Sequence, residues 1–382
     1  MTGATTATAS RTDWVSLAAE LGADFARRAG AHDDEDAFVA ENYAELRRRR
    51  VFSAPVPAAL GGGDASYGEL SELLRVLAHG CSATALALAM HTHPVAFAVR
   101  RWRDGATAVE PFLRRVAAED LVVISTGGND WLAGSGTAER VDGGFLVSGR
   151  KRFASGVPAG DLLMTMAVLP EPPGETTVIH FALPLSAGGV TIVETWRTLG
   201  MRATGSHDVV LDRVFVPEAA VSARRPPGRW SPVFHLIAAV ALPLIYSVYV
   251  GVAEAARDLA LDLARARRDD RLVQVTAGEL DTELAAARLA LADMVAAGSG
   301  PTPGPETTGR VVVGRALAGR AVLRVVDKAM ELAGGAGFYR AAGLERLYRD
   351  AQGARFHPLP DKPQRLYAGR LALGLDVDDP AS

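Results

Sequence analysis

Three of the eight histidines and one glycine-rich helix end are the residues of this 382-residue chain with the types and spacing for chemistry. His91 and His93 stand two apart in Ala85 to Val99, an apolar run that reads as a helix broken at Pro94. Imidazole exchanges a proton near neutral pH, so it can hold, donate or accept one at a reacting atom. Positions two apart on a helix point about 200° away from each other. At most one of the pair therefore faces a cavity, and we assign that place to His91. No third ligand stands at a suitable spacing, so no His-x-His metal site is read. His357 precedes Pro358 in a proline-punctuated loop. Upstream, Gly334, Gly335 and Gly337 end a long helix in Gly-Gly-Ala-Gly, backbone that can take positive φ and approach a second surface such as a phosphate. A plain helix C-cap has the same composition. An Arg349-Asp350 pair lies between these features.

Composition bounds what these residues can serve. The length exceeds that of a single growing core, so two or three domains are expected. With 48% apolar and 22% charged residues, the chain reads as a soluble globular protein. A formal charge of −3 gives no electrostatic affinity for nucleic acid or an anionic membrane. The single cysteine, Cys81, excludes an internal disulfide framework. Residues 1–11 lack the basic and apolar regions of a signal peptide and read as a short disordered tail, with the cytoplasm as the expected location. Val233 to Ala253 carries no Asp, Glu, Lys or Arg and is long enough to span a bilayer. Its His235, Pro243, Ser247 and two tyrosines favour a helix buried inside a bundle.

The elements that must position the site follow in three blocks. Residues 12–118 read as helices: Trp14, Leu17, Leu21 and Phe25 share one face, and Ser66 with Glu69 forms a capping box. Residues 119–225 read as an antiparallel β-domain of short alternating runs, with a hairpin at Asp142-Gly143. Residues 226–382 return to long helices near 232–268, 275–297 and 307–333, a bundle pattern. The fold class is α+β.

That order, with four motifs, resembles the acyl-CoA dehydrogenase superfamily across nearly the whole chain. The motifs are Val56-Pro-Ala-Ala-Leu-Gly-Gly-Gly-Asp-Ala, Val147-Ser-Gly-Arg-Lys-Arg-Phe-Ala-Ser-Gly, the run from Leu199-Gly-Met-Arg to Val214-Phe-Val-Pro, and Leu344-Glu-Arg-Leu-Tyr-Arg-Asp-Ala. The resemblance implies an N-terminal helical domain, a middle β-barrel or sandwich and a C-terminal four-helix bundle. It also implies FAD, or alternatively FMN, between the last two domains, and a homotetramer or homodimer. By the same resemblance Ser155 falls near the isoalloxazine ring, Phe153 where a tryptophan often flanks it, and Thr126 at a cofactor-side strand end. Arg267 falls where an arginine reaches the adenosine diphosphate portion. Gly334, Gly335 and Gly337 fall where the glycine-rich turn approaches the flavin of a neighbouring subunit. Taken alone, Ser155 is also a turn cap and Arg267 a helix-end charge.

The chain departs from the dehydrogenase pattern where the reaction needs its base. Abstraction of an α-proton from an acyl thioester uses a glutamate. One position that carries it is Pro358 here, and the other is about Ala241. The active-site pattern looks like the dibenzothiophene-monooxygenase branch, in which histidines and a serine surround a C4a-(hydro)peroxyflavin. That resemblance implies His357, His91 and Ser155 as catalytic residues, a small-molecule substrate and a separate flavin reductase. The alternatives are an acyl-CoA or carrier-protein thioester dehydrogenase with a displaced base such as Asp361, and a non-catalytic partner subunit.

Overall fold

The computed structural model describes residues 12–128, 130–171, 174–300 and 303–378. The tail expected over 1–11 lies outside the described residues. The N-terminal helices are α1 (Trp14–Asp34), α2 (Ala40–Arg48), α3 (Tyr67–Gly80), α4 (Ser82–Arg103) and α5 (Glu110–Glu119). On α1 the apolar face buries Trp14, Leu17, Leu21 and Phe25, and the Asp13 side chain caps the start by accepting from Ser16 N–H. Ser66 and Glu69 close the capping box of α3. Helix α3 crosses α1 so closely that a Cβ on Gly80 would stand 1.9 Å from Gly22 O. Helix α4 runs unbroken through Pro94, contrary to the expected interruption. Burial on most sides holds it together despite the missing N–H.

The middle region is one eight-stranded sheet. Its strands are β1 (Val123–Ser125), β2 (Thr137–Val141), β3 (Gly144–Ala154), β4 (Leu162–Glu171), β5 (Glu175–Pro184), β6 (Val190–Val193), β7 (His207–Pro217) and β8 (Val221–Arg225). The spatial order is β6-β7-β3-β2-β4-β5-β8, with β1 beside β4. The hairpin forms at Asp142-Gly143, where Gly143 takes a φ of +77°. The sheet is not wholly antiparallel, because β1 and β2 each pair parallel with β4. That pairing brings the end of β1, Ser125 and Thr126, beside β4.

The C-terminal region comprises α6 (Pro232–Ala264), α7 (Arg271–Gly298), α8 (Pro305–Ala333), α9 (Leu344–Ala351) and α10 (Asp361–Ala372). Helix α6 is the central element, in contact with α3, α4, α7, α8 and α9. It is long and apolar enough to cross a membrane, yet 89% of its most apolar window is buried inside the protein. Its one buried carboxylate, Glu254, accepts from Arg75, Arg288 and His79, joining α3, α6 and α7. Burial pushes the Glu254 carboxyl up, but the hydrogen bond from His79 and the two guanidinium groups outweigh it and hold the group down at about 2.

Candidate active site

One carboxylate joins all three regions. Asp350 is buried; it accepts from Met201 N–H through Oδ1 and from the Ser82 hydroxyl through Oδ2. Arg349 beside it donates to Asp33, Glu345 and Leu199 O. A Cβ at Gly200 would lie 2.1 Å from Arg349 O, so glycine is needed for this approach. The Arg349-Asp350 pair is therefore engaged in holding α9 to α1, α4 and the segment before β7.

From Met201 the hydrogen bonds run on to Ser155. Met201 O accepts from Thr204 Oγ1 and from Trp196 Nε1, both at 2.9 Å. The single Thr204 hydroxyl proton is committed there. Ser206 therefore donates to Thr204 at 2.6 Å, and Ser155 donates to Ser206 at 2.7 Å. Ser155 Oγ keeps its lone pairs for an incoming donor. Phe153 turns the chain at the end of β3 with a φ of +59°, uncommon for a bulky residue. Its ring stays 51% exposed, edge-on to Trp196 at 6.1 Å. Strain of this kind, of order 1–3 kcal/mol, clusters at ligand sites. An open aromatic face, the Ser155 hydroxyl and Thr126, which donates to Thr165 Oγ1 at 2.7 Å, suit a flat ring edged with donors and acceptors such as a flavin.

Arg267 and the glycine-rich turn meet each other. Arg267 Nη2 donates to Leu332 O at 2.6 Å and Ala333 O at 3.3 Å, closing the C-terminus of α8. The three glycines differ in what they need. Gly334 has a φ of +62° beside the guanidinium, a Cβ on Gly337 would stand 2.9 Å from the side chains of Ala333 and Leu344, and Gly335 faces open space.

The histidines of α4 require a correction. His91 is buried with both ring nitrogens occupied: Nδ1 accepts from Val123 N–H at 3.0 Å, and Nε2 donates to Phe52 O at 2.8 Å. It ties α4 to β1 and to the turn at 51–53, and it has no nitrogen left for a ligand. His93 is the member of the pair with a ring nitrogen left over. Its Nε2 lies 3.2 Å from Ser125 Oγ, whose own proton goes to Met90 O at 3.0 Å. His93 Nε2–H is thus the donor, and Nδ1 has no hydrogen bond among the described residues. Helical rotation alone could not choose between the two positions; the neighbouring β1 strand chose.

His357 lies in the loop between α9 and α10, near enough to His93 for the two imidazoles to interact when charged. Its Nε2 is 2.7 Å from Tyr249 Oη, and its carbonyl accepts from Arg315 Nη2 at 2.9 Å. Burial lowers His357 to about 4, with Arg315 adding to the effect. Burial lowers His93 to about 3, and His91 and His357 are near enough to lower it further when charged. Both imidazoles are neutral at neutral pH, and no carboxylate contributes to either shift. Asp361, the displaced-base candidate, sits at the exposed first turn of α10, paired with Arg365 at 3.2 Å. Ala241 is buried within α6. Sequence reasoning missed Ser125, Trp196, Ser206 and Tyr249. Pro94 is the available signal for Ser125, since a proline frees the carbonyl four residues before it.

Residues 125–214 match the acyl-CoA dehydrogenase middle-domain family and residues 243–357 the acyl-CoA dehydrogenase C-terminal-domain family. The chain is 30% identical over 373 residues to the amino sugar nitrososynthase RubN8 of Streptomyces rubradiris, covering 92% of this chain and 87% of that protein. It is 29% identical over 373 residues to the putative acyl-CoA dehydrogenase YdbM of Bacillus subtilis, covering 91% and 93%. Among solved structures, KijD3 in complex with FMN and a dTDP-linked amino sugar superimposes with a TM-score of 0.87 at 27% identity, covering 97% of each chain. Matched in both domains and nearly end to end by such relatives, the chain belongs to the acyl-CoA dehydrogenase superfamily.

Proposed function

We propose that this chain is a flavin-dependent monooxygenase that oxygenates a small molecule at a heteroatom, with an amine nitrogen as the first candidate. The observation that carries this is the two neutral imidazoles, His93 hydrogen-bonded to Ser125 and His357 hydrogen-bonded to Tyr249, with no carboxylate contributing to either and Pro358 and Ala241 at the positions of the usual base. Reduced flavin, when bound, supplies the activation of dioxygen. His93 and His357 offer proton donors and acceptors around that chemistry, and the absence of a carboxylate removes the base that a thioester substrate needs. Ser155, with lone pairs free to accept, the exposed Phe153 ring and Thr126 at the strand end would hold the flavin ring. The nitrososynthase name of RubN8 and the amino-sugar ligand of KijD3 support the choice of an amine.

The flavin is FAD or FMN; Arg267 would reach the adenosine diphosphate portion of FAD, and Gly334, Gly335 and Gly337 would approach the flavin of a neighbouring subunit. The enzyme is cytoplasmic, takes reduced flavin from a separate reductase and works as a homotetramer or homodimer. The oligomer is supported by a groove of about 750 Å³ between α7 and α8, where Leu289 and Leu317 are 72% and 48% exposed. The second reading, a thioester dehydrogenase, is favoured only by the likeness to YdbM. The test is anaerobic addition of acyl-CoA thioesters of several chain lengths to the oxidised flavoprotein. The flavin colour is expected to persist, and bleaching by any of them would overturn the proposal.

A further inference from the structure

We infer that Tyr249 is a positioning residue that holds His357 as its Nδ1–H tautomer, so that the loop after α9 presents an N–H donor to the active site. The inference rests on the proposed role of His357, but its structural content can be tested without the reaction.

Tyr249 lies on α6 and is fully buried among helices. Its only hydrogen-bond partner among the described residues is His357 Nε2, at 2.7 Å. Two proton arrangements are possible. If His357 donated from Nε2, the phenol proton would be left buried with no acceptor, a cost of about 1–3 kcal/mol. If Tyr249 donates, the buried phenol proton and Nε2 are both satisfied, and Nδ1 is not among the fully buried atoms left without a partner. The penalty exceeds the small preference of free imidazole for its Nε2–H form, so the phenol is the donor. Burial also pushes the Tyr249 phenol well above its ordinary 10, which keeps the proton on oxygen at any working pH. With Nε2 accepting, the imidazole proton sits on Nδ1. That nitrogen has no hydrogen bond among the described residues.

The surroundings show that the hydroxyl is not needed merely to anchor the loop. Tyr246 Oη donates to Ala354 O at 2.7 Å, and Arg315 Nη2 donates to Ala354 O at 3.1 Å and to His357 O at 2.9 Å. Backbone on both sides of Arg355 is therefore held by other side chains. The chain also makes room for this particular hydroxyl. A Cβ at Gly353 would lie 2.6 Å from Tyr249 Oη, so any larger residue there would displace it. His93, by contrast, donates from Nε2 to Ser125 and keeps Nδ1 as an acceptor. The two imidazoles are thus fixed in opposite senses, one with a free N–H and one with a free lone pair. Such a pair can give a proton at one imidazole and take one at the other.

The experiment is NMR on the full-length protein with its histidine nitrogens isotopically labelled. Long-range proton–nitrogen correlations identify the tautomer, and the His357→Gln variant assigns the signals. Wild type is expected to show His357 as the Nδ1–H tautomer. Tyr249→Phe, which removes only the hydroxyl, is expected to lose that pattern in favour of Nε2–H. Tyr246→Phe, which loses a bond to the same loop but not to the ring, is expected to keep it. An Nε2–H signal in wild type, or one pattern shared by wild type and Tyr249→Phe, would overturn the inference. Because wild type alone can overturn it, poor folding of a variant does not protect it. A wild type with the Nδ1–H pattern that fails to react as a monooxygenase would sink the proposed function and leave this hydrogen bond standing.

Discussion

His93 and Ser125 are joined by a 3.2 Å hydrogen bond that depends on the proline between them in sequence. Pro94 has no N–H to give to Met90 O, four residues back, and the Ser125 hydroxyl takes that carbonyl at 3.0 Å. With its proton so committed, Ser125 accepts from His93. A helix defect thereby sets the direction of a hydrogen bond in the site.

The two histidines of α4 should respond differently to mutation. His93→Ala and His357→Ala are expected to lower turnover about 10²-fold or more, the range for positioned acid–base groups, with little loss of flavin. His91→Ala is expected to cost stability instead. It removes two buried hydrogen bonds of about 1 kcal/mol each and opens a cavity. Thermal melts beside steady-state rates separate the two outcomes; equal effects at 91 and 93 would contradict the assignment.

Stability should fall with acid over a defined window. His91, His93 and His357 have folded values of about 4, 3 and 4, below the ordinary 6.5. The unfolded chain therefore binds more protons, and stability is lost as pH drops from about 6.5 toward these values. Urea midpoints measured across this range should decline. The decline should be shallower in His91→Gln, compared with its own midpoint at neutral pH.

Ser155→Ala should weaken flavin binding about tenfold, equivalent to one hydrogen bond of about 1.4 kcal/mol. The melting temperature of the flavin-free protein should hardly move, because the Ser206–Thr204–Met201 chain survives. Phe153→Ala should weaken flavin binding as well. Fluorescence titration with FMN and FAD reads both, and unchanged affinity in the two variants would place the flavin elsewhere.

Glu254→Gln should destabilise the bundle by about 1–3 kcal/mol, since charge-assisted hydrogen bonds from Arg75 and Arg288 are weakened while both guanidinium groups keep access to water. Denaturant unfolding checks this. A loss below about 1 kcal/mol would mean that water already screens the cluster.

The fold was legible because its signals are local. Trp14, Leu17, Leu21 and Phe25 mark one helix face, Ser66 and Glu69 cap α3, and Asp142-Gly143 turns the hairpin. The parallel pairing of β1 and β2 with β4 was not legible, because it joins strands distant in sequence. The site was legible only in part for the same reason. Imidazoles two apart on α4 look equivalent until β1 occupies His91. Tyr249 lies in an apolar helix that reads as core throughout, and only the folded loop at Gly353 gives its hydroxyl a partner. Arg349 and Asp350 stood out as a pair, yet Asp33, Ser82 and Met201, which they hold, are more than a hundred residues away in sequence.

The central claim is that the chain uses reduced flavin and oxygen. The most direct measurement is stopped-flow mixing of the protein, loaded anaerobically with reduced FMN or FAD, with oxygenated buffer. The expected result is a transient species with its own absorbance, resolved before the oxidised-flavin spectrum returns, and shorter-lived in His357→Ala. Return of the oxidised spectrum in one step at the rate of free flavin, for both cofactors, would contradict the claim.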